Sequence, residues 1–242
     1  QSVEAALALI HAAERPVLIA GSAAAYARTG KELIRLVETV RVPILTHGDA
    51  EGLVPDDHPY CLGTFDLGLT WASKKVREAD LVVLLGKKQD YTIGFARPPV
   101  VASSAKLVQV DPSPDELGCN RDVDVGIVGD VETVVQQMAV EANSRVWLER
   151  PWVKEMREEC VANQRWLDSL ATSAAPLHGA FVARVLRDAM RRDDFICFDG
   201  GDFSHFVRAS VPALWPHGWM WSVSTLGMLG VALPTAIAAK LA

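Results

Sequence analysis

Residues 16–20 read PVLIA, a run with no polar side chain, opened by Pro16 and closed by Gly21. A stretch this short, apolar throughout and bounded by chain breakers, predicts a strand buried on both faces. Strands of that kind belong to parallel sheets, whose neighbours need a crossover connection, usually a helix. The pattern repeats along the chain. Residues 3–13 have helical spacing, and residues 29–40 (TGKELIRLVETV) place Leu33, Leu36, Val37 and Val40 on one helical face. VPILTH follows as a second strand, then a polar loop, GDAEGLVPDDHP. Residues 67–79 look helical and lead into a third strand, ADLVVLLGKK. AKLVQVD predicts a fourth strand ending at Asp111, and residues 125–128 a fifth, with Asp130 placed to cap the helix behind it. The expectation is an α/β domain over residues 1–142, a doubly wound, Rossmann-like parallel sheet with right-handed crossovers.

Residues 143–175 differ in character. They are charged, carry Trp147, Trp152 and Trp166, and read as a linker holding one amphipathic helix. The tryptophans are expected to pack against neighbouring domains. From residue 176 the α/β pattern restarts: helix (177–194), strand FICFDGG, helix FSHFVRASVPAL, strand WMWSVST, and then LGMLGVALPTAIAAKLA, a Gly-x-x-Gly turn opening a helix. Two strands are too few for a complete sheet of this class. The second α/β domain, 176–242, is therefore expected to be truncated. With Gln1 standing at the edge of a helix, the chain reads as an internal piece of a longer protein.

Composition narrows the function classes. Half of the residues are hydrophobic, enough for a buried core, and the formal net charge of −6 argues against a nucleic-acid partner. No apolar run approaches the roughly 18 residues of a membrane span, and no signal peptide is visible. Cys61, Cys119, Cys160 and Cys197 form no CxxC pair and have no metal-ligand spacing with a histidine. They fit a reducing, cytoplasmic setting, and no metal site is expected among them. The histidines are scattered, and the nucleophile elbow GxSxG is missing.

In a doubly wound sheet, ligands sit beyond the carboxyl ends of the strands, at the switch in strand order. The residues expected there are 21–25, 47–49, 86–88 and Asp111. Gly21 and Ser22 open a small-residue turn at a helix N-terminus that is suited to a phosphate. The turn lacks GxGxxG, which counts against a nicotinamide dehydrogenase. In DGGD (199–202), the amides of Gly200 and Gly201 can face a phosphate, although two acidic side chains stand beside it. The bland alternative is a strand-to-helix turn with Asp202 as the cap. His205 stands close enough in sequence to approach the same place.

Three stretches carry a resemblance. DFICFDGGDF, LGMLGVALPTAIAAKLA and AKLVQVDPSPDELGCNRDVDVGIVGDV resemble thiamine-diphosphate enzymes of the acetolactate synthase type, in the family's domain order. GSAAAYARTGKEL and AIAA are similar to the oxalyl-CoA decarboxylase and 2-hydroxyacyl-CoA lyase branch. The resemblance implies an enzyme that uses thiamine diphosphate and Mg²⁺ to make or break a C–C bond next to a carbonyl, on a 2-oxo acid or a 2-hydroxyacyl compound. It implies that Gly227 offers its carbonyl to the aminopyrimidine and that Leu229 is the apolar wedge bending the cofactor. It also implies a homodimer or homotetramer. Some relatives bind FAD or ADP in the central domain, where Lys88, Asp111 and Asp130 match the nucleotide rim. Lys88 stands where arginine is frequent, which weakens a bidentate phosphate contact. The family's GDG motif is missing from this sequence, as is the N-terminal domain with its activating glutamate, so the piece alone is expected to be inactive. The rival reading is a non-catalytic module that binds ADP or FAD or is purely structural.

Overall fold

The structure, a computed structural model, describes residues 1–221 and 228–241. Helix α1 (Ser2–Ala12) leads into β1 (Pro16–Ala20), all five of whose positions are buried. A short helix α2 (Ser22–Tyr26) and the amphipathic α3 (Gly30–Val40) follow. Leu33, Leu36, Val37 and Val40 are fully buried. Each such side chain contributes about 1.5–3 kcal/mol relative to exposure, which is why this stripe and not local propensity fixes the helix. Then come β2 (Ile44–Thr46), β3 (Cys61–Thr64), α4 (Trp71–Lys75), β4 (Leu81–Leu85), β5 (Lys106–Asp111), β6 (Val125–Val128) and α5 (Val131–Ala142).

These strands form one parallel sheet in the order β3-β2-β1-β4-β5-β6. Strand order reverses between β1 and β4, so the ligand crevice expected of such a sheet lies at their carboxyl ends. The sheet has six strands, not the five expected. The extra strand, β3, has four residues, one of them Gly63 at φ +82°, and its register on β2 shifts between Ile44 and Thr46. A short, irregular edge strand leaves little periodicity to read.

Alternating strand residues feed two core layers. Leu18, Ala20, Ile44, Val83, Leu85, Val108 and Val110 face α1, α3 and α5. Val17, Ile19, Leu45, Val82, Leu84 and Leu107 face the other way, against Phe65, Val76 and Ile93. That second layer is completed from outside the predicted domain. Helix α6 (Pro151–Leu170), within the expected linker, adds Trp152 and Met156. Trp152 Nε1 donates to the Pro16 carbonyl at 3.1 Å. Two of the three expected tryptophan anchors, Trp147 and Trp152, are buried, and Trp166 stacks on Trp71 at 5.8 Å between ring centres.

The second unit contains α7 (Gly179–Ala189), β7 (Ile196–Phe198), α8 (Asp202–Ser210), β8 (Trp219–Trp221) and α9 (Ala232–Leu241). β7 and β8 pair in parallel. Its core is small: Ala183, Phe198, Val207, Val211, Ala213 and Trp219. α8 ends at Ser210, short of the expected 214, and Gly201, not Asp202, occupies its N-cap. The unit is held by residues 51–68 of the first. Gly52, at φ +81°, lies against the Trp215 carbonyl, where a Cβ would collide with it. Asp56 and Ala213 exchange hydrogen bonds in both directions, N–H to carbonyl at 3.0 Å and N–H to carboxylate at 2.8 Å. Asp57 pairs with Arg192. Among the described residues, no helix is long and apolar enough to cross a membrane.

Candidate functional site

The ends of β1 and β4 meet backbone to backbone. Gly21 N–H donates to Leu85 O at 3.0 Å, and Ala23 N–H donates to Gly86 O at 3.1 Å. A Cβ on Gly21 would lie 2.6 Å from Gly86 O and from Lys87 Cα, and one on Gly86 would lie 2.5 Å from Ala24 N. Both positions therefore require glycine for close approach, and Gly86 also for its φ of +62°. Ser22 begins α2, with its Oγ beside Gly48. Lys88 is exposed, with its ammonium 2.6 Å from Glu116. Asp111 is buried at the end of β5 and accepts from Ser113 N–H at 2.9 Å; burial raises its carboxyl above the ordinary value. Asp130 caps α5, accepting from Thr133 N–H at 2.9 Å. Gly21, Ser22, Lys88, Asp111 and Asp130 thus stand along one carboxyl edge, on β1, β4, β5 and β6.

A second set of groups lies nearby: His47 and Lys87 fall within the stretches expected at the strand ends, whereas Glu51, Asp56 and Asp66 escaped sequence reasoning. Lys87 is buried and pairs with Asp90 at 2.6 Å. Burial of the ring, with the Lys87 and Arg208 charges nearby, pushes the His47 imidazole down to about 3. Glu51 is buried and accepts from Thr64 Oγ1 at 2.7 Å. Burial pushes its carboxyl up to about 7, against the pull of Arg208. Asp56 is pushed up to about 6 by burial, offset in part by the Ala213 amide. Asp66 goes the other way. Burial opposes its ionisation, but Arg208 and His205 outweigh it and hold the carboxyl below its usual value. Its Oδ2 meets His205 Nδ1 at 2.8 Å and Arg208 at 2.9 Å, while its Oδ1 accepts from Gly68 N–H at 2.6 Å. The only available signal was the density of acids in residues 49–66; their partners lie far along the chain.

In the second unit, the DGGD turn and the Gly-x-x-Gly helix are joined by Asp199. One carboxylate oxygen accepts from Val231 N–H at 3.1 Å and Ala232 N–H at 3.2 Å, at the start of α9. Gly201 has φ +104° and Gly230 φ +84°, and among the described residues no atom lies within 4 Å of the place of a Cβ on either. Gly200 stands between them and Asp199 in the turn. Leu229 is 69% exposed. Gly227 lies outside the described residues. The candidate residues thus form two groups, one on the edge of the first sheet and one around the Asp199 turn. No cluster of three metal-ligating side chains occurs among the described residues.

The chain's sequence has known relatives. The family model described as thiamine pyrophosphate enzyme, central domain, matches residues 3–138. A 2-hydroxyacyl-CoA lyase 1 of Homo sapiens is 31% identical over 238 residues, covering 97% of this chain and 40% of that protein. An acetolactate synthase large subunit of Mycobacterium tuberculosis is 28% identical over 242 residues, covering 100% of this chain and 42% of that one. Oxalyl-CoA decarboxylase of Escherichia coli is 25% identical over 248 residues, covering 99% and 42%. The chain spans about two fifths of the length of these relatives. With its six-stranded parallel sheet and a match over more than half its length, the chain belongs to the thiamine pyrophosphate enzymes.

Proposed function

We propose that the chain forms part of a thiamine-diphosphate-dependent enzyme that makes or breaks a C–C bond next to a carbonyl, acting on a 2-oxo acid or a 2-hydroxyacyl compound. The observation that carries this reading is the Asp199 turn. Gly201 and Gly230 hold backbone conformations at positive φ with no described atom near the place of a Cβ, and Asp199 bridges DGGD to the first turn of α9. A backbone turn with glycines at positive φ beside a helix start fits a diphosphate-bearing cofactor. In this reading the amides of Gly200 and Gly201 face the cofactor. Leu229 is its apolar wedge, and Gly227 offers a carbonyl to its aminopyrimidine. Asp199 is turned onto the first amides of α9, which hold its carboxylate there. When bound, thiamine diphosphate supplies an electron sink beside the carbonyl carbon, while the protein orients and shields it. Mg²⁺ would draw its ligands from outside the described residues. The relatives' names, a lyase, a synthase and a decarboxylase, support the reaction class. We place the enzyme in the cytoplasm, as a homodimer or homotetramer, which light scattering on the longer protein tests.

Calorimetry with thiamine diphosphate and Mg²⁺ tests the reading. The longer protein should bind saturably, and the 242-residue chain alone should show neither binding nor activity at micromolar cofactor. Saturable heat with the chain alone would refute the second statement; none with the longer protein would refute the first.

A second reading concerns the first sheet: an ADP or FAD site over Gly21, Ser22, Lys88, Asp111 and Asp130, with or without chemistry elsewhere. Its support is the alignment of these residues on neighbouring strand ends. Against it stand the Lys88–Glu116 pair and the closed Gly21–Gly86 contact. A ligand at 100 times its dissociation constant adds about 2.7 kcal/mol. A thermal shift with ADP or FAD that disappears in K88A supports the nucleotide site; no shift leaves the domain a scaffold.

A further inference from the structure

Helix α8 connects two features. Its N-terminal turn is Gly200–Gly201–Asp202. One turn further on, His205 and Arg208 lie at i and i+3, on one face. Both reach Asp66 in the other unit, at 2.8 and 2.9 Å. Asp66 and Arg208 are 5% and 6% exposed, so their pair is shielded from solvent, while the His205 side chain is 45% exposed. Asp66 is itself fixed: its Oδ1 accepts from Gly68 N–H and Leu69 N–H at 2.6 and 3.3 Å, and its own N–H donates to Ser73 Oγ at 3.0 Å. Glycine at 68 lets the loop close on the carboxylate, since a Cβ there would lie 2.9 Å from Asp66 Oδ1. A buried carboxylate held by its own loop and facing a guanidinium and an imidazole on one helix sets where that helix sits along its axis. The core beneath α8 is small, so packing alone constrains it weakly.

We propose that Asp66 is a positioning residue for the cofactor turn: through His205 and Arg208 it places α8, and through α8 the Gly200–Asp202 turn and the Asp199 bridge to α9. This rests on the functional reading above for the turn's role, but not for the coupling itself.

The test is hydrogen exchange on the 242-residue chain, which needs no cofactor. In D66N an oxygen remains for Gly68 and Leu69, while an amide donor replaces the oxygen facing Arg208 and His205. The expected result is at least tenfold faster exchange in α8 and at Val231 and Ala232, with β1, β4 and β5 unchanged. H205Q alone should show a smaller change in the same amides and add nothing in the D66N background. Unchanged exchange in α8 overturns the proposal. Uniform acceleration that includes β1 and β4 overturns it too, because Asp66 would then hold up the whole fold. Should D66N fail to fold, H205Q and R208K decide by the same criteria. Cofactor affinity is read separately by calorimetry on the longer protein. D66N should weaken it severalfold, whereas no binding by the unsubstituted protein would fail the functional reading and leave the exchange result standing.

Discussion

Replacing Glu51 with glutamine should make the protein more stable at alkaline pH, against the usual outcome for a buried, hydrogen-bonded residue. Glu51 is 3% exposed and its carboxyl is pushed from 4.5 to about 7, with burial as the leading cause. An acid whose folded value lies above its unfolded one contributes stability that is complete below the unfolded value. That contribution is lost as pH rises through the folded one. The wild-type chain therefore loses stability between about pH 4 and pH 7 on account of Glu51. A shift of this size corresponds to about 3 kcal/mol once the group is fully ionised. Glutamine keeps an oxygen for Thr64 Oγ1 and cannot ionise. Asp56 titrates in the same direction and Asp66 in the opposite one at lower pH, so the informative quantity is the difference between E51Q and wild type. That difference should be small at pH 4.5 and grow to about 3 kcal/mol in favour of E51Q at pH 8.5. Thermal unfolding followed by tryptophan fluorescence reads it as roughly 6–12 °C for a chain of this size. Parallel pH profiles for the two proteins, or a less stable E51Q at pH 8.5, would show that burial does not govern this carboxyl.

Other substitutions probe the rest of the fold. G21A forces a Cβ to within 2.6 Å of the β4 backbone and should cost at least about 1–3 kcal/mol in urea unfolding; a neutral result would mean that the strand ends separate easily. D130A removes the cap of α5 and should cost about 1 kcal/mol in the same measurement. Arg121 donates to the carbonyls of Ala96, Ala102, Ser103 and Ala105, so R121M should cost about 1–3 kcal/mol and speed hydrogen exchange across residues 91–105. Exchange confined to its wild-type rate there would show that the clamp is redundant.

What could be read from the sequence was what local chemistry decides. PVLIA declared itself as a strand because its breakers and its lack of a polar face leave no other stable placement. Asp130 declared itself as a cap because a cap acts on amides three residues away. The residues that tie the two units together did not. Asp66 meets His205 across 139 positions, and nothing near either marks the pairing. Gly21 was legible as a turn glycine, but its reason, the backbone of Gly86, was not. β3 was lost for a different cause: four residues with a left-handed glycine and a slipped register carry no period.

The bond from Trp152 to Pro16 spans 136 positions, and it has a consequence for how the protein is made. Synthesis proceeds from the N-terminus, and all six strands of the first sheet emerge before α6 does. Until residues 152–156 follow, Val17, Ile19, Leu45, Val82 and Leu84 form a face without its final cover. A chain that stopped short of residue 152 would leave open the part of that face that Trp152 and Met156 cover. That species is the one a chaperone should hold, and the one that should aggregate when none is present.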